Sequence, residues 1–209
     1  MNEPPYGYRF EQGFLWPEQD IRCAQYIFKS VRDLHQIYDY CRKFEVVIQA
    51  GGNCGIWPRE LGLRFQRVYT FEPCSINFRC LAANAPAENI YKFNAALGER
   101  PGLLDLVRDP KNVGAHYIAK TSGQIPTMRI DDLALDTCDL VLLDIEGFEF
   151  QALSGGIETI RNFNPVVVVE NRGYSRRYGI DGGKIEELLS NTHSVVAKSR
   201  YDLILAPKS

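Results

Sequence analysis

The stretch VVIQAGGNCGIWP, residues 46–58, decides how the rest of the chain is read. An apolar run starting at Val46 stops at Gly51, Gly52 and Gly55, and Pro58 follows closely. That order predicts a buried strand, a tight turn and a helix. Glycines let a backbone turn sharply and approach a ligand without a Cβ clash. The helix that follows offers unpaired N–H groups and the positive end of its dipole to an anionic group. Pro58 suits a first helical turn, where its missing donor costs little. A plain strand-to-helix turn needs one glycine rather than three.

Glu72 closes the next apolar run, VYTFEP at 68–73, 21 residues beyond Gly51. An acid at that place accepts hydrogen bonds from ribose hydroxyls. Turn and acid together predict a nucleoside site. The turn reads Gly51-Gly52-Asn53-Cys54-Gly55-Ile56. It does not match the G-x-G-x-x-G of dinucleotide sites, and no phosphate-cradling lysine follows. S-adenosylmethionine fits better, with a ribose for Glu72, a carboxylate for the turn and no phosphate.

Outward from this unit the same texture repeats. IYKFNAALG (90–98), LVLLDIEG (140–147) and VVVVEN (166–171) read as strands; Pro58–Phe65, Ser75–Asn84 and Phe148–Asn162 read as helices. Strands this apolar are buried on both faces, as in parallel sheets. The alternation predicts right-handed βαβ units and an open, doubly wound α/β sheet. Ser194–Lys198 and Tyr201–Pro207, split by Ser199-Arg200, predict a terminal hairpin and one antiparallel strand on a mostly parallel sheet. Residues 21–43 carry apolar positions at helical spacing, giving one amphipathic helix or two short ones. Residues 1–20 are rich in Pro, Gly and aromatic rings and predict an irregular arm. Residues 99–128 break the pattern. A strand at Gly102–Val107 precedes a long loop, 108–124, holding Asn112, Gly114 and His116, and long loops are often functional.

Composition narrows the function classes. The 209 residues carry 24 Lys and Arg against 26 Asp and Glu, a net charge of −2. No global field draws such a chain to nucleic acid or an anionic membrane. Its longest uncharged stretch, Val46 to Pro58, falls short of the ~20 residues of a membrane helix. MNEPPYGYRF is neither basic nor apolar, so no signal peptide is expected and a cytoplasmic location is. Cys23, Cys41, Cys54, Cys74, Cys80 and Cys138 form no CxxC pair, and no His stands at zinc-ligand spacing. They read as reduced thiols.

Acids cluster at the predicted strand ends. Ligands of open α/β sheets bind beyond the carboxyl ends of the strands, where Asp144 stands. Asp144 and Glu146 alternate along an extended chain and can face one way. Glu149 falls in a first helical turn, where acids simply complement the dipole. Glu170 closes VVVV and shares an edge with Asp144 if the two strands are neighbours. Two close carboxylates raise one pKa and give a general base; they also suit Mg²⁺. The base is favoured, because no third ligand is evident, and no metal is expected. His116 is a candidate for the site's rim. Arg172, Arg176, Arg177 and Lys184 read as a solvated loop or, more sharply, a lid over an anionic or sugar acceptor. Trp16 and Trp57 read as packing residues.

VVIQAGGNCGIWP, VYTFEP, FNAALGE, TMRIDDL, LVLLDIEGFEFQALSGG and PVVVVEN, in this order, resemble the FkbM-type S-adenosylmethionine-dependent methyltransferases. The resemblance runs from about Val46 to Asn171. It implies a class I methyltransferase (Rossmann-like) sheet of seven strands with an antiparallel last strand. It divides the chain into an N-terminal helical and aromatic arm (1–43), a lid or dimer contact, and a cofactor-binding domain (44–209). It implies S-adenosylmethionine as cofactor and methyl transfer to an oxygen, usually a hydroxyl of a sugar or other small molecule. Carried over, Gly51, Gly52, Asn53 and Gly55 line the methionine part of the cofactor, Glu72 and Pro73 meet the ribose, Asn94 and Ala95 flank the adenine, and Asp144 stands beside the transferred methyl. Asp144, Glu170, Glu146 and His116 are the candidate catalytic residues. The family turn usually opens on an acid that holds the cofactor's ammonium; Gln49 here offers only a carbonyl oxygen. Two other classes share the turn-and-acid logic: a non-catalytic or decayed nucleoside-binding module, and an NAD-dependent oxidoreductase.

Overall fold

The computed structural model describes residues 3–119, 123–198 and 202–208. In chain order the elements are β1 (Tyr8–Glu11), β2 (Phe14–Pro17), α1 (Cys23–Ser30), α2 (Leu34–Tyr38), β3 (Val46–Ala50), α3 (Ile56–Gly62), β4 (Arg67–Phe71), α4 (Ser75–Asn84), β5 (Ile90–Phe93) and β6 (Ala96–Leu97). Then follow β7 (Gly102–Val107), β8 (Tyr117–Ala119), β9 (Ile125–Met128), β10 (Leu140–Leu143), α5 (Glu149–Ser154), α6 (Ile157–Phe163), β11 (Val166–Glu170), α7 (Lys184–Leu189), β12 (His193–Lys198) and β13 (Asp202–Pro207).

Seven strands form the main sheet in the order β12-β13-β11-β10-β3-β4-β5. β3, β4, β5, β10 and β11 run parallel, and β13 lies antiparallel between β11 and β12. The apolar runs explain why. Every residue of Val46–Ala50, Leu140–Leu143 and Val166–Glu170 is buried, which only a sheet covered on both faces permits. Alternate residues feed two cores. Ile48, Ala50, Phe71, Val141, Leu143, Val167 and Val169 pack on one face. Val47, Val68, Leu140, Leu142, Val166 and Val168 pack on the other. Each such side chain contributes about 1.5–3 kcal/mol by leaving water. The expected hairpin is present as β12 and β13; its turn, Ser199-Arg200, and Tyr201 lie outside the described residues.

Four expectations need correction, the first being that the run 90–98 is not one strand but two, β5 in the main sheet and β6 in a separate one. The arm is not irregular: β1 and β2 form an antiparallel hairpin closed by Gln12 and Gly13, both at positive φ. It packs on α4, and Asn84 exchanges hydrogen bonds of 2.8 Å with Leu15 and donates one of 2.7 Å to the Cys54 carbonyl. The segment 108–124 is not one long loop. β6, β7, β8 and β9 make a second, four-stranded sheet in the order β6-β9-β7-β8. The helix expected over Phe148–Asn162 is two, α5 and α6, parted at Gly155-Gly156. Residues 21–43 follow the two-helix alternative, and all six cysteines are free thiols.

The end of β3 is the tightest point. Gly51 has φ +86°, and a Cβ there would fall inside the Asp144 carbonyl. Left-handed backbone and overlap together predict that Gly51→Ala lowers stability by about 2–5 kcal/mol. Urea unfolding followed by circular dichroism checks this; a loss under ~1 kcal/mol contradicts it.

Candidate active site

The pairing register puts the site on one edge. Leu143 is level with Ala50 and with Val169, and Ala50 is level with Phe71. One step further along each strand stand Glu72, Gly51, Asp144 and Glu170, side by side across β4, β3, β10 and β11. Glu170 in turn pairs with Asp202 on β13. Because β13 runs the opposite way, its first residue joins the row. Neighbouring strands lie ~4.8 Å apart, so the acids on adjacent strands interact strongly.

A cavity of about 790 Å³ opens over this edge, within the ~300–1,000 Å³ of small-molecule sites. Its floor includes Gly51, Asn53, Glu72, Pro73 and Ala95, and its far end Asp144, Glu146 and Glu170. His116 also lines it. α1 forms a wall through Cys23, Tyr26, Lys29 and Ser30, residues that the sequence reading did not single out within the 1–43 arm. Asp202 is a second residue it missed; the reversed direction of a last antiparallel strand was the available signal. Trp16 is wholly buried, as expected of a packing residue. Trp57 instead reaches the cavity, its indole N–H donating to Ser30 Oγ at 3.2 Å. Of the four basic residues in 172–184, Arg172 alone is on the cavity wall among the described residues.

Four residues assigned to the cofactor do not reach the cavity. Gln49 is buried, and its Oε1 accepts a hydrogen bond from Thr70 Oγ1 on β4. Gly52 and Gly55 leave no free space: a Cβ on either would meet Leu81, and one on Gly52 also Thr70. These glycines admit α4, not a ligand. Asn94 donates from Nδ2 to the carbonyls of Glu72 at 2.8 Å and Pro73 at 3.2 Å, bracing the turn after β4.

Glu72 is held ready. Its Oε2 accepts from the Asn53 N–H and its Oε1 from the Cys74 N–H, both at 2.8 Å. Each oxygen keeps a lone pair for a further donor. Burial pushes its pKa up to about 7 against the pull of those two amides. Asn53 also donates from Nδ2 to Cys23 Sγ at 3.4 Å, tying the turn to α1.

The opposite end carries an excess of acid. One carboxylate oxygen each from Asp144, Glu146 and Glu170 lies within 4.8 Å of the others. Glu146, which the sequence reading placed on the same side as Asp144, is carried there by left-handed backbone at φ +58° just before Gly147. Asp144 is exposed to the cavity yet surrounded by protein; burial first, then the Asp202 charge, raises its pKa. Burial and the charges of Asp144 and Glu146 raise Glu170, although Arg172 Nε sits 2.6 Å from its Oε1. Burial, then Asp144, pushes Glu146 to about 7. His116 moves the other way: burial holds it below the usual imidazole value, and its Nε2 lies 3.3 Å from the Asp109 carbonyl. Glu149 is structural, as its position in a first helical turn suggested. Its Oε1 accepts from the N–H groups of Ile145 and Gly147 at 3.1 Å and so fixes the loop.

The seven-stranded sheet with its inserted antiparallel strand, and an acid at the end of the second parallel strand, define a class I methyltransferase (Rossmann-like) fold. The chain belongs to the FkbM methyltransferase family, whose Methyltransferase FkbM domain matches residues 59–194. Among solved structures it is similar to methyltransferase FkbM from Methylobacillus flagellatus KT, with a TM-score of 0.51 and 20% identity over 88% of this chain and 55% of that one. This chain thus spans about half the length of that relative. It is also similar to a ribosomal protein L11 methylase from Lactobacillus delbrueckii subsp. bulgaricus (TM-score 0.52, 14% identity, 90% of this chain and 79% of that one). An rRNA methylase from Streptococcus thermophilus matches at TM-score 0.52 and 9% identity, covering 85% of this chain and 95% of that one. At such identities the likeness is one of fold. No curated protein sequence matches. Among the described residues no helix is long and apolar enough to cross a membrane.

Glu149 allows a test of the buried acids. Its raised pKa, about 7, means the folded state holds a proton that the unfolded chain releases near pH 4.3. Folding stability from this group therefore falls as pH rises from ~4.3 to ~7. In EDTA-treated protein, Glu149→Gln should keep the loop's hydrogen bonds and flatten that decline by about 1–3 kcal/mol. Urea unfolding at pH 5 and pH 8 measures it; an unchanged slope contradicts it.

Proposed function

We propose that the cavity binds S-adenosylmethionine and directs its methyl group to an oxygen of a small-molecule acceptor, with a sugar hydroxyl as the first class to test. The observation that carries this reading is a single cavity with Glu72 organised at one end and paired carboxylates at the other. Membership of the FkbM family supports it. The residues fit the cofactor. Glu72 has lone pairs for two ribose hydroxyls, Ala95 leaves a flat apolar floor for a base, and the acids at the far end suit a cationic sulfur. Gln49 takes no part in this fit, so its lack of charge does not weaken it.

When bound, the cofactor would supply an activated methyl on positive sulfur, the sulfide leaving with the bonding electron pair when the acceptor oxygen takes the methyl. The chain's residues then have three tasks. Glu72 and the Asn53 turn fix the nucleoside end. Asp144, Glu170 and Glu146 orient the acceptor hydroxyl, and Asp144 or Glu170 takes its proton. α1 and the His116 segment close the cavity over the acceptor, the 1–43 arm acting as a lid rather than a dimer contact; the α1 residues on the cavity wall support that role. Alignment alone is worth ~7–11 kcal/mol of barrier. Proton removal adds about 10²- to 10⁴-fold. The location we expect is cytoplasmic, and we expect neither nucleic acid nor membrane as acceptor.

Paired variants test the roles. Glu72→Ala should weaken S-adenosylmethionine binding at least ~10-fold, the worth of one lost charged hydrogen bond. Glu170→Ala should bind normally and turn over ~10²-fold or more slowly. Calorimetry and a methyl-transfer assay over a panel of sugars read both; normal turnover by Glu170→Ala contradicts the assignment.

A further inference from the structure

We infer that Asp144, Glu146 and Glu170 form a site for one hard divalent cation of the Mg²⁺ class. Two independent observations point to it. The first is geometric: three carboxylate oxygens from β10, its following loop and β11 converge within 4.8 Å at the inner end of the cavity. Small side-chain adjustments bring all three within the ~2.1–2.5 Å bonds of one such cation. The second is an orphan. Glu170 is nine-tenths buried, and its Oε2 has no hydrogen-bond partner among the described residues. A buried carboxylate oxygen left unpaired costs free energy that a cation would recover.

Charge balance agrees. Asp144, Glu146 and Glu170 gather three carboxylates at one end of the cavity wall, beside Asp202, which has contacts of its own, and Arg172 is the guanidinium paired with Glu170 there. Arg172 reaches Oε1 of Glu170, and Oε2 has no hydrogen-bond partner among the described residues. Glu149 adds a fifth acid, but backbone amides already satisfy it. Arg177 is committed to the rings of Tyr117 and Tyr174, at 4.1 and 4.9 Å. A +2 ion together with Arg172 balances the three carboxylates of Asp144, Glu146 and Glu170, which the guanidinium alone does not. All-oxygen donors select Mg²⁺, Mn²⁺ or Ca²⁺ over zinc or copper.

Three protein ligands leave coordination positions open to water and to an acceptor hydroxyl. The inference rests on the proposed methyl transfer only for that purpose; cation binding itself does not depend on it. In that setting the ion would hold the hydroxyl beside Asp144 and lower its pKa.

The test uses Mn²⁺ as the probe, added to the EDTA-treated full chain, with free Mn²⁺ followed by electron paramagnetic resonance. The expected result is one saturable site per chain, displaced by excess Mg²⁺ and weakened at least ~10-fold in Glu170→Gln and in Glu146→Gln. Glu146 is half-buried on a loop, so its variant keeps the test valid if Glu170→Gln does not fold. S-adenosylmethionine binding is measured on the same samples. Mn²⁺ uptake without cofactor binding keeps the cation site and removes the methyl-transfer reading. Cofactor binding without saturable Mn²⁺ uptake, or uptake unchanged in both variants, overturns the cation site and leaves that reading standing. Neither binding, in a chain that unfolds cooperatively, overturns both.

Discussion

The carboxyl end of β3 is clamped between its neighbours. The N–H groups of Gly51 and Gly52 both donate to the Phe71 carbonyl on β4, and the Asp144 N–H donates to the Ala50 carbonyl. Gly51 lies so close to the Asp144 backbone that no side chain fits between them. This contact sets the level of three strand ends at once. Glu72 and Asp144 then stand on either side of a turn that cannot rise to cover them. The cavity over the edge follows from that low ridge, and α4 packs into the space that Gly52 and Gly55 leave.

The same geometry concentrates charge. Register alone brings acids from β4, β10, β11 and β13 to one line, and a low-dielectric wall strengthens their repulsion. Glu72 escapes by accepting two backbone amides, and Glu149 does the same. Among the described residues Asp144, Glu146 and Glu170 have Arg172, and Oε2 of Glu170 has no donor. Such a group is held together by the sheet rather than by mutual attraction, and it is balanced by protons or by a cation. That imbalance separates a working edge from a decorative one, because any positive centre entering the cavity is drawn to it.

Much of this was legible in the chain itself. Strand ends are punctuated by Gly51, Glu72, Asp144 and Glu170, so the row of acids could be placed once neighbours were assumed. Gln49 was misplaced by parity. Ile48 and Ala50 face one core, so the residue between them faces the other, where Thr70 waits on β4. The glycines were read as room for a ligand, whereas the room is taken by Leu81, which sequence spacing does not reveal. The β1–β2 hairpin escaped notice because Gln12-Gly13 is a weaker turn signal than Asn-Gly. The α1 wall depends on Asp20, whose carboxylate binds the Trp16 indole and the amides of Cys23, Ala24 and Val113. Val113 lies 93 residues from Asp20, so only the folded chain shows that the arm and the 113 segment share a wall.

The central claim is that this edge is a nucleoside site built for a cationic cofactor without a pyrophosphate. Calorimetric titration of the full chain with S-adenosylmethionine, and separately with NADH, tests it most directly. The account predicts saturable one-site binding of the first and no heat from the second. Binding of NADH, or no binding of S-adenosylmethionine by protein shown to be folded, would contradict it.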